Sequence, residues 1–296
     1  MSFFLFPGQG SQKVGMGQDF YAQSDAAKAI LDEANSLYDG DLLALLFEGP
    51  QEELNHTRVA QPGLLTVEVA TAQHLIAAGI SPTGCAGHSL GEIPALVVSG
   101  ALAFADAFTF TLERARLMSE NVPEGGMAAV MGLDPAAIRD NLPEGVQVAN
   151  YNGDGQTIIS GSTAGIETAV STLKDAGAKR VMPLKVSGPF HSEFMKPAAE
   201  QLKAVLASMT IKAPTVPFVS SVTATTVEDP EAIRTLLSEQ LYSPVRWTEV
   251  IAAIGTGDAL EVGPGNVLKG LAKRMDNAPA VTTIGSVADV EALTTA

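Results

Sequence analysis

The chain has 296 residues, of which 46% are hydrophobic and 17% charged, so its composition is that of a folded globular protein rather than a disordered one. The formal net charge of −15 argues against nucleic acid or an anionic membrane as the main partner. The single cysteine excludes an internal disulfide and suits a reducing cytoplasm, and no apolar run approaches the roughly 20 residues of a membrane helix.

The first third of the sequence alternates between strand and helix patterns. Residues 2–6 predict a buried first strand, which runs into a glycine-rich loop at 7–12. Apolar residues at helical spacing predict helices over 18–47 and 62–78. Strands that alternate with helices indicate a parallel sheet covered by helices on both faces, so the predicted fold class is α/β, with a sheet of the α/β-hydrolase type.

A G-x-S-x-G pentapeptide, Gly87-His88-Ser89-Leu90-Gly91, follows a short run of small, strand-compatible residues. An apolar helix is predicted directly after it, over 92–98. This strand, sharp turn and helix form the setting in which a serine is held on a strained corner, with the first amides of the helix aimed at an oxyanion. The alternative is a glycine-rich turn that contains a serine, and we favour the nucleophile.

An arginine occupies the apolar side of the helix predicted over 106–121. At about 100° per residue, Arg114 falls in the middle of the apolar arc, whereas Arg116 falls on the polar side and is expected to be a surface charge. A buried arginine must be paired or face a cavity. Two interpretations stay open here: an ion pair in the core with Glu68 or Glu92, or a clamp for the carboxylate of a ligand.

The pattern changes at residue 126. Residues 126–186 predict the order β-α-β-β-α-β of a ferredoxin-like domain, with a turn at 152–155. Segments rich in glycine and proline flank this stretch. We therefore predict a large discontinuous domain over 1–124 and 189–296 and a small ferredoxin-like α+β domain inserted at 125–188, with the site in the cleft between them.

The C-terminal part of the chain predicts a helix over 193–208, a strand over 214–221, a helix over 229–242 and a strand from 258. We find no Walker-type phosphate loop and no Cys/His spacing for a metal, and we expect neither a metal nor a cofactor. Residues 1–175 carry 7 Lys+Arg and 21 Asp+Glu, against 11 and 12 in residues 176–296. An acidic partner is therefore expected to dock on the C-terminal part.

Five segments occur in the order typical of one family: Phe6–Gln12, Gly87–Glu92, Arg114, Gly188–Ser192 and Glu261–Gly265. On these segments the chain closely resembles the malonyl-CoA:acyl carrier protein transacylases of bacterial-type fatty acid synthesis. The resemblance extends over essentially the whole length, including the ferredoxin-like insert.

The resemblance implies a role for each residue of a catalytic site. Ser89 would be the nucleophile and His191 the base, although the residues alone leave His191 equally open to a structural role. The backbone carbonyl of Gln240 would orient the histidine in place of an aspartate. The backbone amides of Gln9 and Leu90 would form the oxyanion hole.

The resemblance also implies how the substrate is recognised. Arg114 would hold the malonyl carboxylate, which decides between the two interpretations given above. Phe190, Met118 and Asn152 are expected to line the substrate pocket. Phenylalanine at position 190 is typical of related acyltransferases that take malonyl rather than methylmalonyl groups, because the ring would fill the space of the additional methyl.

The implied reaction is a ping-pong transfer from malonyl-CoA, through an ester on Ser89, to the phosphopantetheine thiol of acyl carrier protein. Acyl carrier proteins are acidic, and the cations expected to dock one are Lys179, Arg180, Lys269, Lys273 and Arg274. We expect a cytoplasmic monomer that needs no cofactor beyond its two substrates. The alternatives are an acyltransferase of a polyketide synthase, a loading subunit of malonate decarboxylase, or an acyl-thioester hydrolase.

Overall fold

Two β-sheets organise the chain, and the strands of the second lie in sequence between strands of the first. The computed structural model describes residues 2–120, 122–153 and 155–295. The strands in chain order are β1 (Ser2–Phe6), β2 (Pro82–Gly87), β3 (Gly126–Met131), β4 (Val146–Tyr151), β5 (Gln156–Gly161), β6 (Arg180–Pro183), β7 (Phe218–Val219), β8 (Asp258–Val262) and β9 (Ala280–Ile284). The predicted helix end at Asn121 and the turn residue Asp154 lie outside the described residues.

Helices cover both sheets. In chain order they are α1 (Gln18–Gln23), α2 (Asp25–Leu37), α3 (Leu42–Phe47), α4 (Gln51–Leu54), α5 (Thr57–Ala77), α6 (Glu92–Val98), α7 (Phe104–Leu117), α8 (Pro135–Asp140), α9 (Thr163–Asp175), α10 (Lys196–Ser208), α11 (Pro230–Glu239), α12 (Trp247–Ile254), α13 (Val267–Ala272) and α14 (Val287–Thr295). A 3₁₀ turn, Ser89–Gly91, joins β2 to α6. Helices therefore form wherever the sequence predicts them.

The larger sheet is parallel and has the strand order β7-β2-β1-β8-β9. Strand β1 lies in its centre, and Phe4, Leu5 and Phe6 have no exposed surface. A continuous apolar strand of this kind, without alternation, is what a parallel sheet covered on both faces requires. The predicted α/β fold class is confirmed.

The carboxyl ends of β1 and β2 lie side by side, with Phe6 paired to Gly87. The loop after β1 and the turn after β2 therefore leave the sheet at the same edge, where open parallel sheets bind their ligands. A Cβ atom on Gly8 would lie 2.7 Å from the carbonyl oxygen of His88. Glycine at position 8 thus allows the first loop to pass directly against the turn that carries Ser89.

The smaller sheet is antiparallel, in the order β4-β5-β3-β6. This is the strand order of a ferredoxin-like fold, as the pattern over 126–186 predicts. Alternate residues of β3 point to opposite faces: Ala128 and Val130 pack in a core of their own, whereas Met127 and Ala129 pack in the main core. All four strands lie within the predicted segment 125–188, while the domain boundaries themselves remain predictions.

The strand predicted over 214–221 is much shorter than expected, because β7 contains only Phe218 and Val219. Pro214 and Pro217 have no amide hydrogen to donate to a neighbouring strand. The amide of Ser221 bonds to the carboxylate of Glu92 instead of to the sheet. The sequence pattern therefore predicted the strand correctly and its length wrongly.

Candidate active site

Ser89 lies on a strained corner between β2 and α6. Its φ angle of 53° is in the left-handed region, which a serine rarely adopts. A Cβ atom on Gly87 would lie 1.9 Å from the carbonyl carbon of Gly91, and one on Gly91 would lie 2.1 Å from the carbonyl oxygen of Phe6. Only glycine fits at these two positions, so the local sequence forces the sharp turn that presents the Ser89 side chain.

The Ser89 hydroxyl contacts a histidine from a distant part of the chain. Its Oγ lies 2.8 Å from His191 Nε2. The other ring nitrogen, Nδ1, lies 2.9 Å from the carbonyl oxygen of Gln240 and 3.1 Å from that of Ser243. Two carbonyl acceptors require Nδ1 to carry the hydrogen, which leaves Nε2 free to accept from Ser89.

The pKa of His191 is lowered to about 4, first by burial and then by the positive charge of Arg114 and by His88. The two carbonyl contacts at Nδ1 act in the opposite direction and raise the pKa. At neutral pH the imidazole is therefore uncharged, and Nε2 can take a proton from the serine. The carbonyl of Ser243 is a second orienting group that the sequence did not reveal.

Arg114 extends from α7 to the same hydroxyl. It is 1% exposed, as the helical wheel predicts, and its Nη2 lies 3.3 Å from Ser89 Oγ. Two glutamine side chains hold the guanidinium: Nη1 donates to Gln61 Oε1 at 2.7 Å, and Nη2 donates to Gln240 Oε1 at 2.9 Å. The Nε hydrogen has no partner among the described residues.

The core ion pair considered for Arg114 does not form directly. Within the described residues no carboxylate lies within 4.0 Å of its guanidinium. The side chain of Gln240 stands between Arg114 and Glu92 and contacts both. Burial lowers the pKa of Arg114 to about 10, while the charge of Glu92 raises it, so the guanidinium stays charged at neutral pH.

A cavity of about 610 Å³ surrounds these groups and is lined by strand residues of the small sheet and by the loops that follow β1 and β2 of the larger sheet. The three predicted pocket residues, Phe190, Met118 and Asn152, all line it. Asn152 follows β4 of the small sheet, and its Oδ1 lies 2.9 Å from Nε2 of His88, the residue before Ser89. The ring of His88 packs against that of Trp247, with ring centroids 5.5 Å apart and an angle of 62° between the ring planes.

The two residues predicted to form an oxyanion hole also line the cavity. Gln9 follows β1, and Leu90 follows Ser89 in the 3₁₀ turn. Within the described ranges neither backbone amide has a hydrogen-bond acceptor in the protein. Both donors are thus available to an oxygen atom bound beside Ser89.

The five cations predicted to dock a carrier protein fall into two groups. Lys179 and Arg180 are exposed where β6 begins, at the end of the strand opposite to the cavity-lining segment 184–186. Lys269, Lys273 and Arg274 lie on α13 or directly after it, and α13 also carries the cavity-lining residues Val267 and Leu271. Only the second group lies on or directly after a helix that itself lines the cavity.

The described residues contain neither a membrane-length apolar helix nor a cluster of metal ligands. None of their helices is both long and apolar enough to cross a bilayer. They also bring together no group of three His, Cys, Asp or Glu side chains that could hold a metal ion. The single cysteine, Cys85, is buried in β2, and burial raises the pKa of its thiol.

The match to a family model identifies the class of protein as an acyl transferase. A family model described as "Acyl transferase domain" matches residues 3–286, which include both sheets and the whole site. The chain is 49% identical over 284 residues to the malonyl CoA-acyl carrier protein transacylase of Bacillus subtilis, covering 92% of this chain and 90% of that protein. It is 46% identical over 283 residues to the protein of the same name from Escherichia coli K12, covering 92% of both.

Solved structures give the same result. A crystal structure of an acyl carrier protein S-malonyltransferase from Vibrio cholerae matches with a TM-score of 0.94 at 40% identity, covering 98% of each chain. A malonyl-transacylase solved in complex with a type II polyketide synthase acyl carrier protein matches with a TM-score of 0.93 at 40% identity, again covering 98% of each chain. The chain belongs to the malonyl CoA-acyl carrier protein transacylase family.

Proposed function

We propose that this protein transfers the malonyl group of malonyl-CoA to the phosphopantetheine thiol of an acyl carrier protein and so supplies fatty acid synthesis. The observation that carries the proposal is the distance of 3.3 Å between Arg114 Nη2 and the Ser89 hydroxyl, which itself contacts His191. A buried guanidinium beside a nucleophile suits an acyl group that ends in a carboxylate. The names of the relatives from Bacillus subtilis and Escherichia coli support the same donor and acceptor.

In the first half of the reaction, the Ser89 oxygen attacks the thioester carbon of malonyl-CoA while His191 Nε2 takes the hydroxyl proton. The carbonyl oxygen becomes an oxyanion, which the amides of Gln9 and Leu90 stabilise by about 3 kcal/mol each. The bond from carbon to sulfur then breaks. The imidazolium returns its proton to the CoA thiolate, and a malonyl ester of Ser89 remains.

In the second half, the carrier thiol attacks the ester carbon and gives its proton to His191. The bond from carbon to the serine oxygen breaks, and the proton returns to Ser89. Backbone carbonyls at Nδ1 stabilise an imidazolium less than a carboxylate would, so the protonated His191 is a strong acid that gives up its proton readily. The ester must be shielded from water until the carrier arrives, and its position in the cavity provides that shield.

Selection between acyl groups follows from two side chains. A charge-assisted contact with Arg114 contributes about 1.5–3 kcal/mol, which favours malonyl over acetyl by about tenfold to a hundredfold. Phe190 is 7% exposed, and its ring occupies the wall of the cavity next to His191. We propose that this ring disfavours the branched methylmalonyl group by about 1–3 kcal/mol.

The mouth of the cavity suits a carrier protein with a phosphopantetheine arm. Leu184, Val186 and Val267 are exposed there, and all three line the cavity. We propose that they contact the arm while Lys269, Lys273 and Arg274 attract the acidic carrier. Lys179 and Arg180 remain weaker candidates for the same role.

We also propose that the enzyme acts as a monomer in the cytoplasm and requires no cofactor besides its two substrates. Size-exclusion chromatography with light scattering tests the first point. Activity after exhaustive treatment with a chelator tests the need for a metal. A dimer, or activity lost to the chelator and restored by one added metal, would contradict these proposals.

Intact-protein mass spectrometry after brief mixing with malonyl-CoA tests the proposed function, with Ser89→Ala as the control. We expect one malonyl adduct on the wild type, none on the variant, and faster loss of the adduct when holo carrier protein is added. An adduct lost to water equally fast with and without carrier would indicate a thioester hydrolase. A panel of carriers from fatty acid and polyketide pathways, with the carrier of malonate decarboxylase, distinguishes the remaining alternatives.

A further inference from the structure

A buried carboxylate lies near the active site without touching any substrate-facing group. Glu92, at the start of α6, is 2% exposed. Its two oxygens accept hydrogen bonds from the backbone amide of Ser221 and from Nε2 of Gln240. Among the residues that the structure describes, no cation lies within 4.0 Å of it.

The side chain of Gln240 connects this carboxylate to Arg114. Its Oε1 accepts from Arg114 Nη2 at 2.9 Å, and its Nε2 donates to Glu92 and, at 3.0 Å, to the carbonyl oxygen of Ser89. A guanidinium can only donate and a carboxylate can only accept, so the two charges together permit one orientation of the amide. Gln240 is itself 1% exposed.

Direct contact between Glu92 and Arg114 would prevent Arg114 from binding the carboxylate of a ligand. A carboxylate on the guanidinium occupies the two donors that a ligand carboxylate needs, and it cancels the charge that attracts the ligand. An anion one amide further away still lowers the cost of burying the cation. It also leaves donors of the guanidinium free on the side of the cavity.

We propose that the Gln240 side chain is a neutral spacer between Glu92 and Arg114, and that this spacer keeps Arg114 both charged and available to the carboxylate of the acyl group. Glu92 and Gln240 are in this sense positioning residues that set acyl selectivity. The inference rests on the proposed malonyl transfer. It is distinct from the contact of the Gln240 backbone carbonyl with His191, which any side chain at position 240 would retain.

The test exchanges the two side chains in the double variant Glu92→Gln, Gln240→Glu. The exchange preserves the net charge and the size of the buried network, but places the carboxylate directly on Arg114. Rates of Ser89 acylation by malonyl-CoA and by acetyl-CoA are measured separately by intact-protein mass spectrometry. We expect the ratio of malonyl to acetyl rates to fall by at least about tenfold, because the clamp is neutralised internally.

The matched control is Gln156→Glu, which introduces a carboxylate into the same cavity without contact to Arg114. We expect it to change the ratio much less than the exchange does. An exchange variant that folds and keeps the wild-type ratio would overturn the proposal, as would one that loses both rates equally. If the exchange variant does not fold, Glu92→Gln alone serves, because it removes the negative charge and turns one of the two accepting atoms into a donor. A wild-type ratio in that variant overturns the proposal.

The two proposals fail in different ways in this experiment. If the wild type forms no malonyl adduct, the proposed function is wrong. If the wild type forms the adduct and prefers malonyl to acetyl, but the exchange leaves that preference intact, only the spacer is wrong.

Discussion

His88 and Asn152 meet across the cavity, with Nε2 of the histidine 2.9 Å from Oδ1 of the asparagine. This contact joins the turn that holds Ser89 to the loop after β4. Burial lowers the pKa of His88, so the ring is neutral and donates through Nε2. The turn at Ser89 is therefore stabilised by a contact with the loop after β4 as well as by its own sheet.

Asn152→Ala should remove the hydrogen bond between Asn152 and His88. It leaves Nε2 of the half-buried His88 without its acceptor, and we expect the free energy of unfolding to fall by about 1 kcal/mol. Acylation of Ser89 should slow as the turn loses support. Chemical denaturation and the acylation rate measure the two effects.

The control for that variant is Asn141→Ala, at the exposed end of α8, where the side chain bonds only to the carbonyl of Ala137. Equal effects of the two substitutions would show that the contact between His88 and Asn152 does not support the turn.

The pH dependence of acylation should report the charge of Arg114. In the wild type the pKa of His191 is lowered to about 4, partly by that charge, so the neutral base is present throughout the range above pH 5. Arg114→Gln removes the cation, so the pKa of His191 should rise, while burial, the larger cause, still holds it below the ordinary histidine value. On acidification, the acylation rate of the variant should therefore begin to fall at a higher pH than that of the wild type.

Acetyl-CoA is the proper donor for this measurement, because it has no carboxylate to bind at position 114. Arg116→Gln is the control, since Arg116 pairs with Glu113 and Glu120 on the outer side of α7. If the acylation rate of Arg114→Gln falls at the same pH as that of the wild type, the charge of Arg114 does not act on His191.

Gly91→Ala should distort the turn at Ser89. The new Cβ atom would lie 2.1 Å from the carbonyl oxygen of Phe6, which belongs to the central strand and cannot move aside. We expect a loss of about 3 kcal/mol in the free energy of unfolding and loss of acylation.

Gly270→Ala is the comparison for this glycine. A Cβ atom there meets nothing within 4 Å, and alanine favours the helix α13 by about 0.5–1 kcal/mol. We expect the melting temperature to fall in Gly91→Ala and to rise in Gly270→Ala. A stable, active Gly91→Ala protein would contradict the need for glycine in the turn.

Glu68 should make the fold less stable as the pH rises. This residue of α5 is fully buried, neither carboxyl oxygen has a hydrogen-bond partner among the described residues, and burial, with Glu261 nearby, raises its pKa well above the ordinary value. A raised pKa in the folded state means that the stability is complete below the unfolded pKa and declines above it. Glu68→Gln, neutral at every pH, should therefore gain more in melting temperature at pH 8 than at pH 5.

Glu33→Gln, at an exposed position of α2, controls for the general effect of removing one negative charge from an acidic protein. A gain at position 68 that is the same at both pH values would mean that its carboxyl is not the titrating group.

The sequence was most informative where one segment contains the whole signal. The glycines around Ser89 predict the turn, the period of α7 predicts a buried Arg114, and the order of elements over 126–186 predicts the second sheet. Each of these predictions depends on residues that are close together in the sequence.

The contacts that orient the site could not be predicted in this way. Gln61, Ser243 and the side chain of Gln240 contact Arg114 or His191 from other elements, and no local pattern distinguishes them from ordinary polar residues. The ion pair considered between Arg114 and Glu92 is an example. A helical wheel predicts that Arg114 is buried, but it cannot predict that the side chain of Gln240 lies between Arg114 and Glu92. The short length of β7 likewise follows from a contact with another element, since the amide of Ser221 bonds to Glu92 and not to the sheet.

The insertion of the small sheet between α7 and His191 separates the reacting groups along the chain. Ser89 and His191 are 102 residues apart, Arg114 and Gln240 are 126 apart, and Gln240 and Ser89 are 151 apart. Contacts of such high sequence separation form late in folding. While the chain is being synthesised, the turn at Ser89 can form long before His191 and Gln240 have been made. Under the proposed mechanism, Ser89 is therefore acylated only after nearly the entire protein has folded. Under that mechanism, acylation of Ser89 indicates that the whole protein has folded.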